Sequence, residues 1–222
     1  MASSDSGQIN LKLSIMPPAT AAAFGHLEQA EWLKKTNWYL AGGTAMALQV
    51  GHRISVDLDF FTTDSDFSPG ILVEHFSKSD WETDIIREGT VYGRLSGAKI
   101  SFIAYPFFLP SEPFIERGSL RILTIKDIAV MKMLAVSQRG KRRDFVDLYW
   151  LCQNGFSLLD ILKKLPRQYP GVAHDYHHII KALTYFDDAE NDPMPQAFFE
   201  YHWPDVKTFF QEQAVQVANQ VL

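Results

Sequence analysis

The sequence predicts an α+β protein, in which a mixed sheet flanked by helices is followed by a mainly helical C-terminal part. Two observations lead to this fold class. Between residues 38 and 105, short apolar runs have the period of β-strands and are separated by glycine turns. After residue 125, apolar residues recur every three or four positions, as in amphipathic helices. We therefore expect a sheet-containing core over residues 1–118 and a helical domain over residues 119–222 that completes its cleft.

The predicted elements follow in chain order, with turns placed at Gly93 and Gly97. An opening helix is expected over residues 19–29, before the first strand. Strands are predicted at residues 39–41, 54–61, 81–88, 91–95, 99–104 and 120–123. Further helices are predicted at residues 44–50, 67–77, 126–138, 143–153, 157–165, 173–185 and 204–220. The acidic stretch 187–192 is interpreted as a solvated connector.

Composition limits the possible classes of function. The 222 residues are 46% hydrophobic, which is enough for a sizeable core. A net charge of −5 excludes a protein that coats nucleic acid through a broadly basic surface, but it permits a local contact with one RNA end. The single Cys152 excludes an internal disulfide and suits a reducing cytoplasm. Residues 1–10 lack the features of a secretory signal and no apolar run approaches ~20 residues, so we expect a cytoplasmic protein without a membrane partner.

Two aspartates stand on one predicted strand. Residues 54–61 alternate in character, so Asp57 and Asp59 project from the same face with Cα atoms roughly 6–7 Å apart. Parallel carboxylates repel each other unless a cation lies between them, and Mg²⁺ prefers such hard oxygen ligands. The alternative is that both aspartates line the solvated face of an edge strand.

A glycine pair lies at the preceding strand–helix junction. Gly42 and Gly43 allow unusual backbone angles and the close approach of a ligand, and the helix that follows favours an anion at its start. Thr44 is predicted to be the N-cap, with a hydroxyl that could also contact a phosphate. The alternative is a tight turn with an ordinary cap. Together with the two aspartates, the pattern favours binding of phosphate and metal.

Four segments in this order resemble the AbiEii/AbiGii group of nucleotidyltransferase-like proteins, within the polymerase-beta-like superfamily. The segments are Gly42-Gly43-Thr44, residues 53–61 (RISVDLDFF), residues 126–132 (KDIAVMK) and residues 143–149 (RDFVDLY). Many members of this group are toxins of toxin–antitoxin or abortive-infection systems. The resemblance covers roughly residues 30–155 and implies a nucleoside triphosphate, Mg²⁺, an RNA (tRNA) or protein hydroxyl as acceptor, and a cognate antitoxin.

The resemblance also implies a role for each matching residue. Asp57 and Asp59 would bind Mg²⁺, while Lys132 would reach the phosphates. Asp147 would complete the catalytic set or orient Lys132 and the basic residues. The residues expected to bind the nucleotide are Gly42, Gly43, Thr44, Arg53, Lys132, Arg139, Arg143 and Asp144.

Lys132 lies off the apolar stripe of its predicted helix, which consists of Ile128, Met131, Leu134 and Ala135. Its ammonium group is therefore expected to reach into a cleft. The alternative is an ordinary lysine on the solvated face of the helix. The basic turn 139–143 is likewise either a docking point for phosphates or ordinary solvated surface.

One position departs from the superfamily pattern. A third carboxylate is expected on a neighbouring strand, here residues 98–106, but Ser101 stands in its place. A serine hydroxyl is a poor metal ligand and cannot act as a base near neutral pH. Asp147 is then the candidate base, unless the chain is a catalytically weak or silent nucleotide-binding protein.

Two further alternatives stay open at this point. His174 and His178 have helical spacing that could hold a transition metal, although no matching distal ligand is apparent and surface or core histidines are the simpler interpretation. From a different class of function, the chain could be a helical protein-interaction module. Labelled-nucleotide transfer separates these hypotheses.

Overall fold

The structure, a computed structural model, describes residues 10–222; residues 1–9, on which the expectation about a secretory signal mainly rests, lie outside this part. Seven strands form one mixed sheet, and helices pack around it. The strands are β1 Tyr39–Ala41, β2 Leu58–Thr62, β3 Glu82–Arg87, β4 Thr90–Leu95, β5 Ala98–Ala104, β6 Ile115–Arg117 and β7 Leu120–Ile122. The helices are α1 Pro18–Glu28, α2 Gly42–Val50, α3 Pro69–Glu74, α4 Ile125–Arg139, α5 Arg142–Gln153, α6 Leu158–Gln168, α7 Tyr176–Ala182, α8 Asp187–Glu190 and α9 Trp203–Val221. The predicted α+β class is confirmed.

The strand order is β3-β4-β5-β2-β1-β7-β6. Strands β2 and β5 run parallel, as do β1 and β7, whereas the other neighbouring pairs are antiparallel. The register places Asp59 beside Ser101, Ser101 beside Tyr92, and Tyr92 beside Ile85. Because paired residues lie on the same face of a sheet, these four side chains form one row across four strands.

The predicted strand over residues 54–61 is shorter than expected, because β2 begins only at Leu58. The preceding residues pair elsewhere: Ile54 donates its N–H to the carbonyl of Gln196 at 2.9 Å, and Arg53 bridges to Ala197. Asp57 therefore lies just before the strand and not on it.

Several other local predictions were wrong. Gly93 does not mark a turn but lies within β4, where a Cβ would come within 2.3 Å of the Trp81 ring. Strand β6 was missed because three half-exposed residues give little alternation. The helices predicted at residues 67–77 and 173–185 are shorter in the structure, and a short helix, α8, interrupts the predicted acidic connector.

One hydrophobic core connects the sheet with the helical part, and α4 runs through its middle. The buried surface of α4 is wider than the predicted apolar stripe. Ala129, Val130 and Met133 are buried in addition to Ile128, which was predicted. Strand β7 follows residue 118, so the sheet draws on both predicted domains; that division stays a prediction. Within residues 10–222, no helix is long and apolar enough to span a membrane.

Candidate active site

A cavity of about 630 Å³ opens between the sheet face that carries Asp59 and helix α4. Strand β2 supplies Asp59 and Phe61, and α4 supplies Met131 and Lys132 from the opposite side. Among the predicted site residues, the cavity is lined by Gly42, Gly43, Arg53, Asp57, Asp59, Ser101, Lys132, Arg139 and Arg143. Thr44, Asp144 and Asp147 were predicted in the site but do not line it.

The glycine pair forms the first turn of α2, which begins at Gly42 and not at Thr44. Gly42 has a φ of +70°, and a Cβ there would lie 2.9 Å from Oδ2 of Asp59. A Cβ on Gly43 would lie 2.3 Å from Nη2 of Arg53. Both positions therefore require glycine, one for the backbone angle and the approach of Asp59, the other for the guanidinium.

Thr44 is not the N-cap, because Ala41 occupies that position. The Thr44 side chain points into the protein, where its hydroxyl contacts the carbonyl of Asp57 and Oγ of Ser55, the latter at 2.8 Å. It is 1% exposed, so it cannot touch a ligand. The hydroxyl instead fixes the segment that leads into β2 and thereby positions Asp57.

Asp59 and Ser101 are joined across the β2–β5 register. The Ser101 hydroxyl donates to Oδ1 of Asp59 at 2.7 Å. Burial raises the pKa of Asp59, and the neighbouring charge of Asp57 adds to this, while the hydrogen bond from Ser101 opposes it. Asp57 and Asp59 thus line the same cavity, and the buried carboxylate of Asp59 is costly to keep ionised without a cation.

These carboxylates suit a hard divalent cation. Asp57 and Asp59 offer the oxygen donors that Mg²⁺ prefers, and the raised pKa of Asp59 shows a charge that such an ion would stabilise. Within the described residues, no group of three His, Cys, Asp or Glu side chains could enclose a metal. A cation held here would therefore complete its shell with water and substrate oxygens.

Lys132 is neither solvated nor free in the cavity. Its Nζ lies 2.8 Å from Oδ1 of Asp144 and 2.7 Å from Oδ2 of Asp147, and its side chain is 5% exposed. Burial alone would raise the pKa of Asp144, but Lys132 and Arg139 outweigh it and hold the pKa below its usual range. The plain interpretation of Lys132 as a solvated lysine was wrong.

Asp147 is the centre of a buried ion-pair cluster that we call the Asp147 cluster: His52, Arg53, Lys132, Asp144 and Asp147. Arg53 donates to both carboxylate oxygens of Asp147, at 2.6 and 2.9 Å, and Nε2 of His52 lies 2.7 Å from Oδ1. Burial lowers the pKa of His52 against the opposing effect of Asp147. In its neutral form the imidazole would donate through Nε2 to this carboxylate, which can only accept.

The candidacy of Asp147 as a general base is contradicted by this environment. Burial alone would raise its pKa, but Arg53 and Lys132 hold the pKa well below the usual range. The carboxylate is also 0% exposed and does not line the cavity. A group so fully paired cannot reach or accept a substrate proton, so Asp147 positions Arg53 and Lys132 instead.

Arg139 and Arg143 bring positive charge to the cavity from the α4–α5 junction. Arg139 is held by Asp144 at 2.8 Å, while Nη1 of Arg143 lies 3.5 Å from Oδ2 of Asp57. Both side chains are about half exposed, at 50% and 49%. They retain unused donors towards a ligand, as expected of phosphate-binding arginines.

Several cavity residues were missed by sequence reasoning. Phe61 and Ile103 lie two positions beyond Asp59 and Ser101, so strand periodicity could have placed them on the same face. No local pattern indicated the others, because distant elements bring them together; they are Asp84, Ile85, Tyr92, Arg94, Lys99, Tyr105 and Tyr169.

The histidine pair does not form a metal site. Nε2 of His174 lies 3.0 Å from the carbonyl of Tyr169, and Nε2 of His178 lies 3.1 Å from the carbonyl of Ser137. The two imidazoles therefore fix different backbone segments. Cys152 packs against the core, and burial raises the pKa of its thiol to about 12, as expected of a structural cysteine.

Comparisons with known proteins identify a family and structural neighbours for this chain. The family described as Nucleotidyl transferase AbiEii toxin, Type IV TA system, matches residues 27–91 and 98–214. Uncharacterized protein aq_aa25 of Aquifex aeolicus (strain VF5) is 34% identical over 198 residues, covering 82% of this chain and 92% of that protein. The solved structure of MenT4, nucleotidyltransferase toxin Rv2826c from Mycobacterium tuberculosis H37Rv, aligns with a TM-score of 0.55 at 15% identity, covering 90% of this chain and 84% of that one. The crystal structure of JHP933 from Helicobacter pylori aligns with a TM-score of 0.50 at 19% identity, covering 90% of this chain and 92% of that one.

The mixed sheet, the glycine-led helix and the paired aspartates define a nucleotidyltransferase. The chain belongs to the AbiEii family of nucleotidyltransferase toxins, because the family match spans most of its length. Membership implies a nucleotide substrate and a cognate antitoxin in general terms. The alternative of a helical interaction module is contradicted by the sheet-based fold.

Proposed function

We propose that this chain transfers a nucleoside monophosphate from a nucleoside triphosphate to an RNA hydroxyl, with tRNA as the expected acceptor class, in a reaction that depends on Mg²⁺. One observation carries the proposal: Asp57 and Asp59 line the same cavity as the start of α2 and the cations of the α4–α5 junction. An anion-binding helix start, two hard ligands and several cations are the parts that phosphoryl chemistry requires.

The triphosphate would lie between the start of α2 and the α4–α5 junction. The first turn of α2 leaves backbone N–H groups unpaired within the helix, and Gly42 and Gly43 let phosphate oxygens approach them. Arg139 and Arg143 face the same space and can pair with several phosphate oxygens. Lys132 adds positive charge to this space while it stays paired with the buried carboxylates of Asp144 and Asp147.

In the proposed reaction, the acceptor hydroxyl gives its proton to solvent water and its oxygen forms a bond to the α-phosphorus. The bond from that phosphorus to the α,β-bridging oxygen breaks, and pyrophosphate leaves. Bound Mg²⁺ would supply charge neutralisation at the reacting phosphate. Asp57 and Asp59 would hold the metal ion in place, and Arg139 and Arg143 would stabilise the negative charge of the pyrophosphate leaving group. Positioning and electrostatics can supply most of the rate in phosphoryl transfer, so the reaction does not require Asp147 as a general base.

The carboxylates lining the described cavity are Asp57, Asp59 and Asp84. Asp84 lies on β3, three strand spacings from Asp59, or roughly 14 Å away. It is therefore too distant to share a metal with Asp59. Its Oδ1 is instead 3.3 Å from Arg94, at the open side of the cavity.

An RNA acceptor is favoured by that open side. Tyr92 is 40% exposed and Ile85 41% exposed, and they continue the row of Asp59 and Ser101 out to the sheet edge. Lys99 and Arg94 of neighbouring strands line the same region. An exposed aromatic ring flanked by cations suits the unstacked end of a nucleic acid.

The proposal is tested by incubating the purified chain with each α-labelled triphosphate, Mg²⁺, and cellular RNA or protein. We expect label in RNA that ribonuclease removes. Asp57→Asn and Asp59→Asn should lower the transfer rate at least ~100-fold, because metal-dependent transfer requires the carboxylate ligands. Asp160→Asn, an exposed position on α6, serves as the matched control. Label in protein would move the acceptor class to a polypeptide hydroxyl, and triphosphate binding without any transfer would support the catalytically silent alternative.

A further inference from the structure

The cavity changes character along strand β2. Asp57, just before the strand, lies beside Arg143; on β2 itself Asp59 lies beside Ser101, and Phe61 follows on the same face. Each step of two residues advances roughly 7 Å along the strand. The cavity therefore runs from a charged end, near Gly43 and Asp57, to an aromatic end beyond Asp59.

The aromatic end consists of five side chains that were not among the predicted site residues: Phe61, Ile103, Tyr105, Met131 and Tyr169. The rings of Phe61 and Tyr105 lie 5.6 Å apart at 63°, and those of Tyr105 and Tyr169 lie 6.1 Å apart at 81°. Ile103 is the register partner of Phe61, while Met131 faces both from α4. Flat apolar walls with few polar atoms are typical of a site for a planar ring.

Tyr169 presents a buried hydroxyl at this end. The side chain is 1% exposed and lines the cavity, and its hydroxyl interacts with that of Tyr105, although no hydrogen bond of normal geometry fixes it within residues 10–222. Burial raises the pKa of the Tyr169 phenol, so the group is neutral and can both donate and accept. A ligand atom that forms a well-aligned hydrogen bond with this buried hydroxyl would therefore be stabilised.

We infer that the aromatic end binds the base of the donor nucleoside triphosphate, with Tyr105 as a stacking surface and the Tyr169 hydroxyl as a base-reading group. This inference rests on the proposed function, since it takes the charged end as the triphosphate site. A nucleotide bound with its α-phosphate at Asp59 places its ribose and base one step further along β2, where Phe61 and Tyr105 lie. The acceptor approaches from the other direction, across Ser101 towards the exposed Tyr92.

The test measures binding of two kinds of probe in Mg²⁺: inorganic tripolyphosphate, which has no base, and the α,β-methylene triphosphates of the four nucleosides, which cannot transfer. Tyr105→Leu is expected to weaken the tightest nucleoside probe about tenfold or more, as loss of one stacking ring does, and to leave tripolyphosphate within about twofold. Tyr185→Leu, at an exposed tyrosine that does not line this cavity, is the matched control and should change neither.

Tyr169→Phe keeps the ring and removes only the hydroxyl. We expect it to change the ratio of affinities among the four nucleoside probes while tripolyphosphate binding is unchanged. A fluorescent 2-aminopurine riboside triphosphate should also lose intensity on binding to the unmodified chain, because stacking quenches it. This measurement does not depend on whether Tyr105→Leu folds.

Equal weakening of tripolyphosphate and nucleoside probes by Tyr105→Leu, or an unquenched 2-aminopurine probe, would overturn the inference and leave the proposed transfer intact. If the unmodified chain bound neither tripolyphosphate nor any nucleoside probe, the proposed function itself would fail, and the base site with it.

Discussion

The carboxylate of Asp147 lies 2.7 Å from the ammonium nitrogen of Lys132, and both side chains are almost fully buried. This contact joins the two helices α4 and α5 beneath the cavity. Since Arg53 pairs with the same carboxylate, one buried aspartate fixes two cations that face the substrate space. Its role is to position charge and not to exchange protons.

Loss of the Asp147 charge should destabilise the fold strongly. In Asp147→Asn, the cations of Arg53 and Lys132 would stay buried with less compensation, so we expect a loss of about 3–5 kcal/mol in the free energy of unfolding. Urea denaturation checks this value. Glu31→Gln breaks a fully surface-exposed pair of 2.8 Å with Lys34 and should cost at most about 1 kcal/mol. Similar losses in both variants would contradict a structural role for the Asp147 cluster.

The stability should fall with acid in two separate pH ranges. His52 has a folded pKa below its ordinary 6.5, so the unfolded chain takes up the proton first and stability decreases as the pH falls below that value. Asp144 and Asp147 have folded pKa values below the ordinary 3.8, so the stability they contribute is present above 3.8 and is lost as the pH falls through their folded values.

Urea midpoints between pH 8 and pH 3 measure both ranges. The His52→Gln variant should lack the first decrease and keep the second. An unchanged midpoint profile in His52→Gln would show that burial does not lower the pKa of His52 in the folded chain.

Alanine at Gly43 should damage both fold and site. The new Cβ would meet Nη2 of Arg53, which cannot move freely because Asp147 holds it. We expect a loss of about 1–3 kcal/mol in stability, typical of overpacking, and weaker binding of tripolyphosphate. Gly25→Ala is the control, since nothing lies within 4 Å of that Cβ in helix α1. It should stabilise the chain by roughly 0.5–1 kcal/mol, and thermal unfolding distinguishes the two directions.

Ser101 should act on metal binding through Asp59. Removing its hydroxyl leaves Oδ1 of Asp59 without its 2.7 Å donor, and we expect Ser101→Ala to weaken binding of Mn²⁺, as a Mg²⁺ substitute, by about tenfold. Ser119→Ala, another buried serine, lies away from the cavity and should leave Mn²⁺ binding unchanged. In Ser101→Asp, the new carboxylate would stand in register with Asp59 and should destabilise the metal-free chain while tightening Mn²⁺ binding. Isothermal titration compares all three variants.

Arg143 should matter for the nucleotide and hardly at all for stability. Its contact with Asp57 and the contact of Lys126 with Glu112 are both exposed pairs of 3.5 Å. Arg143→Gln and Lys126→Gln should each change stability by less than about 1 kcal/mol. Only Arg143→Gln should raise the KM for the triphosphate in the transfer assay. An equal effect of both variants on KM would exclude a phosphate-binding role for Arg143.

Local patterns were enough to predict most of the fold. The α+β class and nearly all helices and strands follow from periodicity and turn residues, because each element buries one regular face. The segment before Asp57 escaped prediction, since its alternation is that of a strand while Ile54 pairs with the distant Gln196. Gly93 was misplaced at a turn because the sequence cannot show that the Trp81 ring covers it.

The motif residues of the site could be predicted from the sequence, but the buried residues that support them could not. Asp57, Asp59, Gly42 and Gly43 line the cavity, as the spacing of the two motifs suggested. The burial of Lys132 against Asp144 and Asp147 depends on how α4 and α5 pack, and no local pattern encodes that. The same is true of the aromatic end of the cavity, which combines residues from β2, β5, α4 and the segment after α6.

The central claim, that Asp57 and Asp59 hold a divalent cation together with a triphosphate, is tested most directly by electron paramagnetic resonance of Mn²⁺ with an α,β-methylene nucleoside triphosphate. The unmodified chain should bind Mn²⁺ much more tightly when the analogue is present, because substrate oxygens complete the metal shell. Asp57→Asn and Asp59→Asn should lose this enhancement, whereas Asp160→Asn should keep it. Enhancement of Mn²⁺ binding that persists in both active-site variants would contradict the assignment of these two aspartates as the metal ligands.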